Sequence, residues 1–207
     1  KEKYRDRIEV LCGLEVDLYS LPVTKPYDYI IGSCHSFPMI DKDGRRCDVD
    51  ESYERLSYAI NTYYGGDAYK AVEAYYASVA TIGKLKPSII GHFDLITKHL
   101  DRVPFFDETS KEYRFAAIEA AEALAGKIPY FEVNTGGVAR GYRTHPYPDT
   151  YLMKEMKRLG FGAVISSDCH KVHLMDYYFD EASQLLKECG FTERYILTKG
   201  GFIPVPL

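Results

Sequence analysis

The residues best suited to chemistry are carboxylates and imidazoles that recur just after short apolar runs. Glu15 lies in GLEVD, His35 follows IIGSC, His92 follows SIIG, Glu132 lies in YFEVN, and Asp168 and His170 fall in SDCH. Imidazole nitrogen and carboxylate oxygen are the donors that Zn²⁺, Mn²⁺ and Fe²⁺ prefer. A carboxylate can also bridge two cations, as a multinuclear hydrolase requires. Taken singly, each has an ordinary alternative. A lone His after a strand is commonly a hydrogen-bonded loop residue, Asp168 could cap the next helix, and Glu15 could be a surface strand residue. Five such residues at corresponding strand ends (Glu15, His35, His92, Asp168 and His170) favour a metal site.

Such scattered residues converge only if the strands run parallel and share one rim. The chain supplies that pattern. Strands are predicted at Ile8–Val16, Tyr27–Gly32, Ser88–Gly91, Tyr130–Val133, Ala163–Ile165 and Tyr195–Leu197. Between them lie amphipathic stretches near Asp50–Tyr63, Ala68–Lys84, Glu108–Ala125, Asp149–Leu159 and Met175–Cys189, with the Ala-rich Glu112–Ala125 the strongest helix former. Gly126, Gly160 and Gly190 stand where helix C-terminal caps belong. This alternation predicts a single α/β domain over residues 1–207, built on a parallel sheet or barrel. The long polar loops are Ile40–Arg46 and Asn134–Pro148, and chemistry in such folds collects at the C-terminal ends of strands.

Composition narrows the partners. A net charge of −4 with interspersed acids and bases gives no reason to expect nucleic acid. No apolar run reaches the roughly 18–20 residues of a membrane span, and no leader pattern opens the chain. A cytoplasmic location is therefore the expectation, and the oligomeric state stays open. Five cysteines without a CxxC pair argue against both a disulfide framework and a Cys-rich zinc site.

The segments GLEVD, IIGSCHSF, GHFDLITK, FEVNTGG and ISSDCH, in this order and with the closing GGFIPVPL, resemble the histidinol-phosphatase branch of the PHP (polymerase and histidinol phosphatase) family. The resemblance covers nearly the whole chain. It implies a distorted (β/α)₇ barrel with up to three divalent metals (Zn, Mn or Fe) at its C-terminal rim. By that resemblance Glu15 bridges two metals, His35 and His92 complete one of them, and Asp168 and His170 serve the others. Glu15, Asp168 and His170 would then be the catalytic set. The implied reaction is hydrolysis of a small phosphate monoester, foremost histidinol phosphate, by in-line attack of a metal-bridging hydroxide.

Arg140 and Arg143, in GGVARGYRTHPYP, are candidates for bidentate phosphate recognition, with a solvated loop as the alternative. Asp94 could accept a hydrogen bond from a ligand imidazole, or face solvent in a turn. Glu132 and Asn134 could line the pocket or serve the strand end, and His99, His145 and His173 are set aside as surface residues. The family pattern opens with a His-x-His strand before GLEVD, and here the first His is His35. The expectation is thus an N-terminally incomplete barrel, with Lys1–Arg7 as a helix tail. A polypeptide of this segment alone is expected to be inactive and poorly stable. Two other functions stay open: a PHP phosphoesterase acting on another phosphate ester or nucleotide, and a non-catalytic PHP-like binding domain.

Overall fold

The computed structural model describes residues 2–4 and 6–207. Lys1 and Arg5 lie outside the described residues, so the expected helix tail is seen only as the 3₁₀ turn Glu2–Tyr4. In chain order the elements are β1 (Gly13–Asp17), β2 (Tyr29–Ser33), β3 (Ser36–Ile40), β4 (Arg46–Asp48), α1 (Tyr53–Tyr63) and α2 (Ala68–Val79). There follow β5 (Ile89–Ile90), α3 (Lys111–Leu124), β6 (Tyr130–Asn134), α4 (Gly136–Ala139) and α5 (Thr150–Arg158). The chain closes with β7 (Gly162–Ser166), α6 (Phe179–Glu188), β8 (Glu193–Thr198) and β9 (Gly201–Pro206).

Five strands form one parallel sheet in the order β1-β2-β5-β6-β7. All C-terminal strand ends therefore lie along one rim, the condition the ligand pattern demanded. The crossovers begin with capped helices: Ser52, Asp67, Ser110 and Asp149 each accept hydrogen bonds from amides of the first turn. Gly126, Gly160 and Gly190 adopt φ of +72°, +86° and +89°, the left-handed caps that the sequence suggested. Helices α2 and α3 pack side by side, α3 meets α5, and α5 meets α6. The core lies between these helices and the sheet, with Val79, Leu124, Phe131, Val133 and Ala163 each at most 1% exposed. The opposite sheet face, with Ile31, Ile89, Glu132 and Val164, borders a cavity of about 360 Å³.

Three readings change. The first strand starts at Gly13 rather than Ile8, because its pairing with β2 begins at Gly13 and Tyr29; just before it, the Cys12 amide is diverted to the Asp28 side chain. The polar stretch Ile40–Arg46 is the turn of a β3–β4 hairpin, with Asp41 Oδ1 accepting from the amides of Asp43 and Arg45, each at 2.9 Å. The C-terminal strand Tyr195–Leu197 belongs to an antiparallel β8–β9 hairpin outside the main sheet. The five cysteines are free, and among the described residues no helix is long and apolar enough to cross a membrane.

Candidate metal centre

Register explains why three predicted ligands meet. Parallel pairing sets Glu15 beside Ile31 and Asp17 beside Ser33, and alternate residues of a strand share a face. Gly91 ends the β5 run, where a Cβ would stand 2.6 Å from Ser33 Oγ and 2.7 Å from Ile31. Glycine there lets the strands close up, and His92 follows directly at the rim. One oxygen of Glu15, Oε1, lies 2.9 Å from His92 Nε2 and 3.4 Å from His35 Nε2. The three ligand atoms lie within 4.8 Å of one another.

Neighbouring groups hold this trio. Ser33 Oγ donates to Glu15 Oε1 at 2.7 Å. Asp17 Oδ2 accepts both the His35 amide, at 2.9 Å, and its Nδ1, at 3.1 Å, which turns Nε2 toward Glu15. Glu132 Oε2 accepts the His92 amide at 2.9 Å and the Asn134 side-chain amide at 3.0 Å. Asp17 and Ser33 carry roles not assigned from the sequence, although the signal was present: Asp17 lies two residues beyond Glu15, on the same strand face. A carboxylate behind a ligand histidine fixes the ring and raises its basicity.

The trio's electrostatics are those of a site built for a cation. The hydrogen bond with His92 is the chief cause holding the Glu15 carboxyl down at about 2, against opposing burial. Burial works hardest on His92 and disfavours its imidazolium. The Glu15 hydrogen bond and the charges of Glu132, Glu15 and Asp168 outweigh it and raise the pKa to about 9. The Glu15 carboxylate thus favours a proton on His92, and an oxygen–nitrogen–nitrogen donor set suits zinc equally. Below about pH 9 the cation must displace the His92 proton. Zinc affinity will therefore rise about tenfold per pH unit from pH 7 and level off near 9. Calorimetry in buffers of differing ionisation enthalpy checks this through about one proton released per zinc; an affinity flat across that range would sink it.

The other predicted residues are distributed differently. Asp168, at φ +45°, lies on the same rim after β7 and forms a separate cluster with Arg140 and His170. Arg140 Nη2 meets its Oδ2, and Nη1 its carbonyl, both at 2.8 Å; His170 Nε2 is 3.3 Å from Oδ1. Arg143 stands apart from both clusters. Its side chain is fully buried and pairs with Asp101 at 2.5 Å and Glu108 at 2.6 Å, with His145 at 2.7 Å. That guanidinium is closed to a ligand. Asp94 does not accept from the ligand imidazole, since His92 Nδ1 and Asp94 Oδ1 are both buried without a hydrogen-bond partner; its other oxygen accepts the Asp149 amide at 3.0 Å. His99 is buried rather than at the surface.

No family model matches the chain. A protein of Schizosaccharomyces pombe named "Probable histidinol-phosphatase" is 27% identical over 216 residues, covering 97% of this chain and 66% of that protein. The histidinol-phosphatase of Bacillus subtilis is 26% identical over 196 residues, covering 87% and 70% respectively. The chain is similar to histidinol-phosphatases. It spans about two thirds of the length of these relatives. The fold is also that of the histidinol phosphate phosphatase of Lactococcus lactis, whose crystal structure holds zinc, L-histidinol and phosphate. That match has a TM-score of 0.51 and 22% identity, over 87% of this chain and 63% of the neighbour.

Proposed function

We propose that the protein is a zinc-dependent phosphate-monoester hydrolase acting on L-histidinol phosphate, with residues 1–207 contributing to one PHP-type domain and the parallel sheet to a (β/α)₇ barrel. The observation that carries this is the convergence of Glu15, His35 and His92 from three strand ends. Similarity to histidinol-phosphatases over 97% and 87% of the chain supplies the substrate class. The single contiguous core, running from Leu18 to Phe191, supports one domain.

In this reading Glu15, His35 and His92 hold one cation, and Asp168 and His170 hold others on the same rim, with Mn²⁺ or Fe²⁺ as possible replacements for zinc. Bound metal supplies Lewis-acid polarisation of the phosphoryl group and lowers the pKa of the attacking water. The protein's own residues position these groups. Asp17 orients the His35 ring, Ser33 fixes the Glu15 carboxylate, and Glu132 pins the backbone at His92. Arg140, partly exposed at the rim, gives one N–H from each terminal nitrogen to Asp168 and keeps the second N–H of each for a phosphate oxygen. Arg143 is left out of the substrate contacts because its side chain is fully buried against Asp101 and Glu108.

The test is release of inorganic phosphate from L-histidinol phosphate by the protein its gene encodes, with zinc supplied and then chelated. Hydrolysis that survives complete zinc removal, or none in the zinc-loaded protein, rejects the proposal. Arg140→Ala will raise KM for the ester by about ten- to a hundredfold, the loss of one charge-assisted pair, with a smaller change in kcat. A wild-type KM in that variant would remove Arg140 from the phosphate site.

A further inference from the structure

We propose that Tyr142 is a specificity-determining residue whose ring forms the wall against which the organic part of the phosphate ester packs. The inference rests on the phosphatase reading above and adds where the alcohol portion of the substrate lies. A cavity of about 340 Å³ opens beside Asp168, lined also by Arg140, His170, Lys171, Tyr142 and Leu174. Arg140 and Lys171 suit the phosphate dianion. The large apolar surfaces in that lining are Tyr142 and Leu174, and a pocket of this kind orients its ligand by polar groups while burying carbon against apolar ones.

Tyr142 is 41% exposed, so the core does not use up its ring. The ring is nevertheless held. Lys98 Nζ lies 4.6 Å from its centroid, and the His99 ring meets it edge-on at 6.1 Å. Lys98 is itself fixed, donating to the Asp50 carbonyl at 2.7 Å and pairing with its carboxylate at 3.5 Å. The Tyr142 amide donates to the Gly137 carbonyl at 2.9 Å, and the next residue is the clamped Arg143. An exposed aromatic restrained on its ring and its backbone loses little freedom when a ligand packs on it. Because Lys98 already draws on the ring's quadrupole, a second cation gains little there and a flat, neutral ring gains more. The imidazole of the ester proposed above is such a ring.

Steady-state kinetics of the zinc-loaded protein on L-histidinol phosphate and on the ringless glycerol 2-phosphate test this. The quantity read is the ratio of kcat/KM for the two esters. Tyr142→Ala is expected to lower that ratio about tenfold, mainly through KM for the ring-bearing ester, and Tyr142→Phe to restore it. Melting temperatures near wild type will show that both variants fold, since the ring lies at the surface. An unchanged ratio in Tyr142→Ala, or a Phe variant as impaired as Ala, overturns the assignment. Failure of the wild type to hydrolyse either ester overturns the phosphatase reading, and this assignment with it.

Discussion

Glu15→Gln will lose zinc affinity by at least about a hundredfold, and hydrolysis of the phosphate ester by about a thousandfold or more. The first figure follows because even partners behind a ligand contribute ten- to a hundredfold to metal affinity, and Glu15 is the residue that both imidazoles face. Its Oε1 lies 2.9 Å from one ring and 3.4 Å from the other. The amide that replaces it is neutral and, on its nitrogen side, presents donors to two rings that must themselves supply lone pairs. The second figure reflects the several kcal/mol that Lewis-acid stabilisation contributes. Loss of the carboxylate also removes the chief support of the His92 proton, so its pKa will fall from about 9. Competition against a chromophoric chelator gives the affinity, phosphate release gives the rate, and proton NMR of the metal-free variant gives the titration. Wild-type zinc affinity in Glu15→Gln would mean that this trio is not the metal centre.

Arg143→Leu will destabilise the protein by about 3 kcal/mol, the lower end of what removing one partner of a buried ion pair costs. The lower end applies because Asp101 and Glu108 keep 29% and 24% side-chain exposure and can rehydrate, whereas Arg143 has none. In a chain of this size that is a fall in Tm of about 6–12 °C. Asp101→Asn, which keeps the Glu108 pair, will cost about 1 kcal/mol. The pH dependence carries a definite sign. Burial raises the Glu108 carboxyl above its ordinary 4.5, with Arg143 opposing that rise; without Arg143 it rises further. A carboxyl with a raised folded-state pKa favours folding below its unfolded pKa, and that contribution is lost as pH climbs through the folded value. The deficit of Arg143→Leu will therefore be smallest in acid and grow above about pH 4.5. Urea unfolding at pH 4 and pH 7 measures it. An equal deficit at both pH values would show that the cost is packing rather than charge.

The sheet strands and long helices were legible because their signals are local. Apolar runs of strand length alternate with 3.6-residue periodicity, and glycines follow the helices as caps. The convergence of Glu15, His35 and His92 was legible for the same reason, since parallel strands put their C-terminal ends on one rim wherever the residues stand in sequence. The β3–β4 hairpin escaped because Ser36–Ile40 carries Pro38 and is short, so its pairing depends on the Asp41 turn and on Arg55 arriving from α1. Asp94 and Arg143 show the larger limit. Both are chemistry-bearing residues in loops at strand ends, and sequence spacing treats them as it treats His92 and Arg140. Tertiary packing separates them: Arg143 turns inward to Asp101 and Glu108, more than thirty positions away in sequence, while Arg140, three residues earlier, stays at the rim on Asp168. By itself the sequence determined which donor atoms this protein has and that they belong at strand ends. Which of them meet at one point, which hold the others in place and which only bind the fold together was decided by long-range contacts, because a side chain's partner is set by register and burial rather than by its neighbours in the chain.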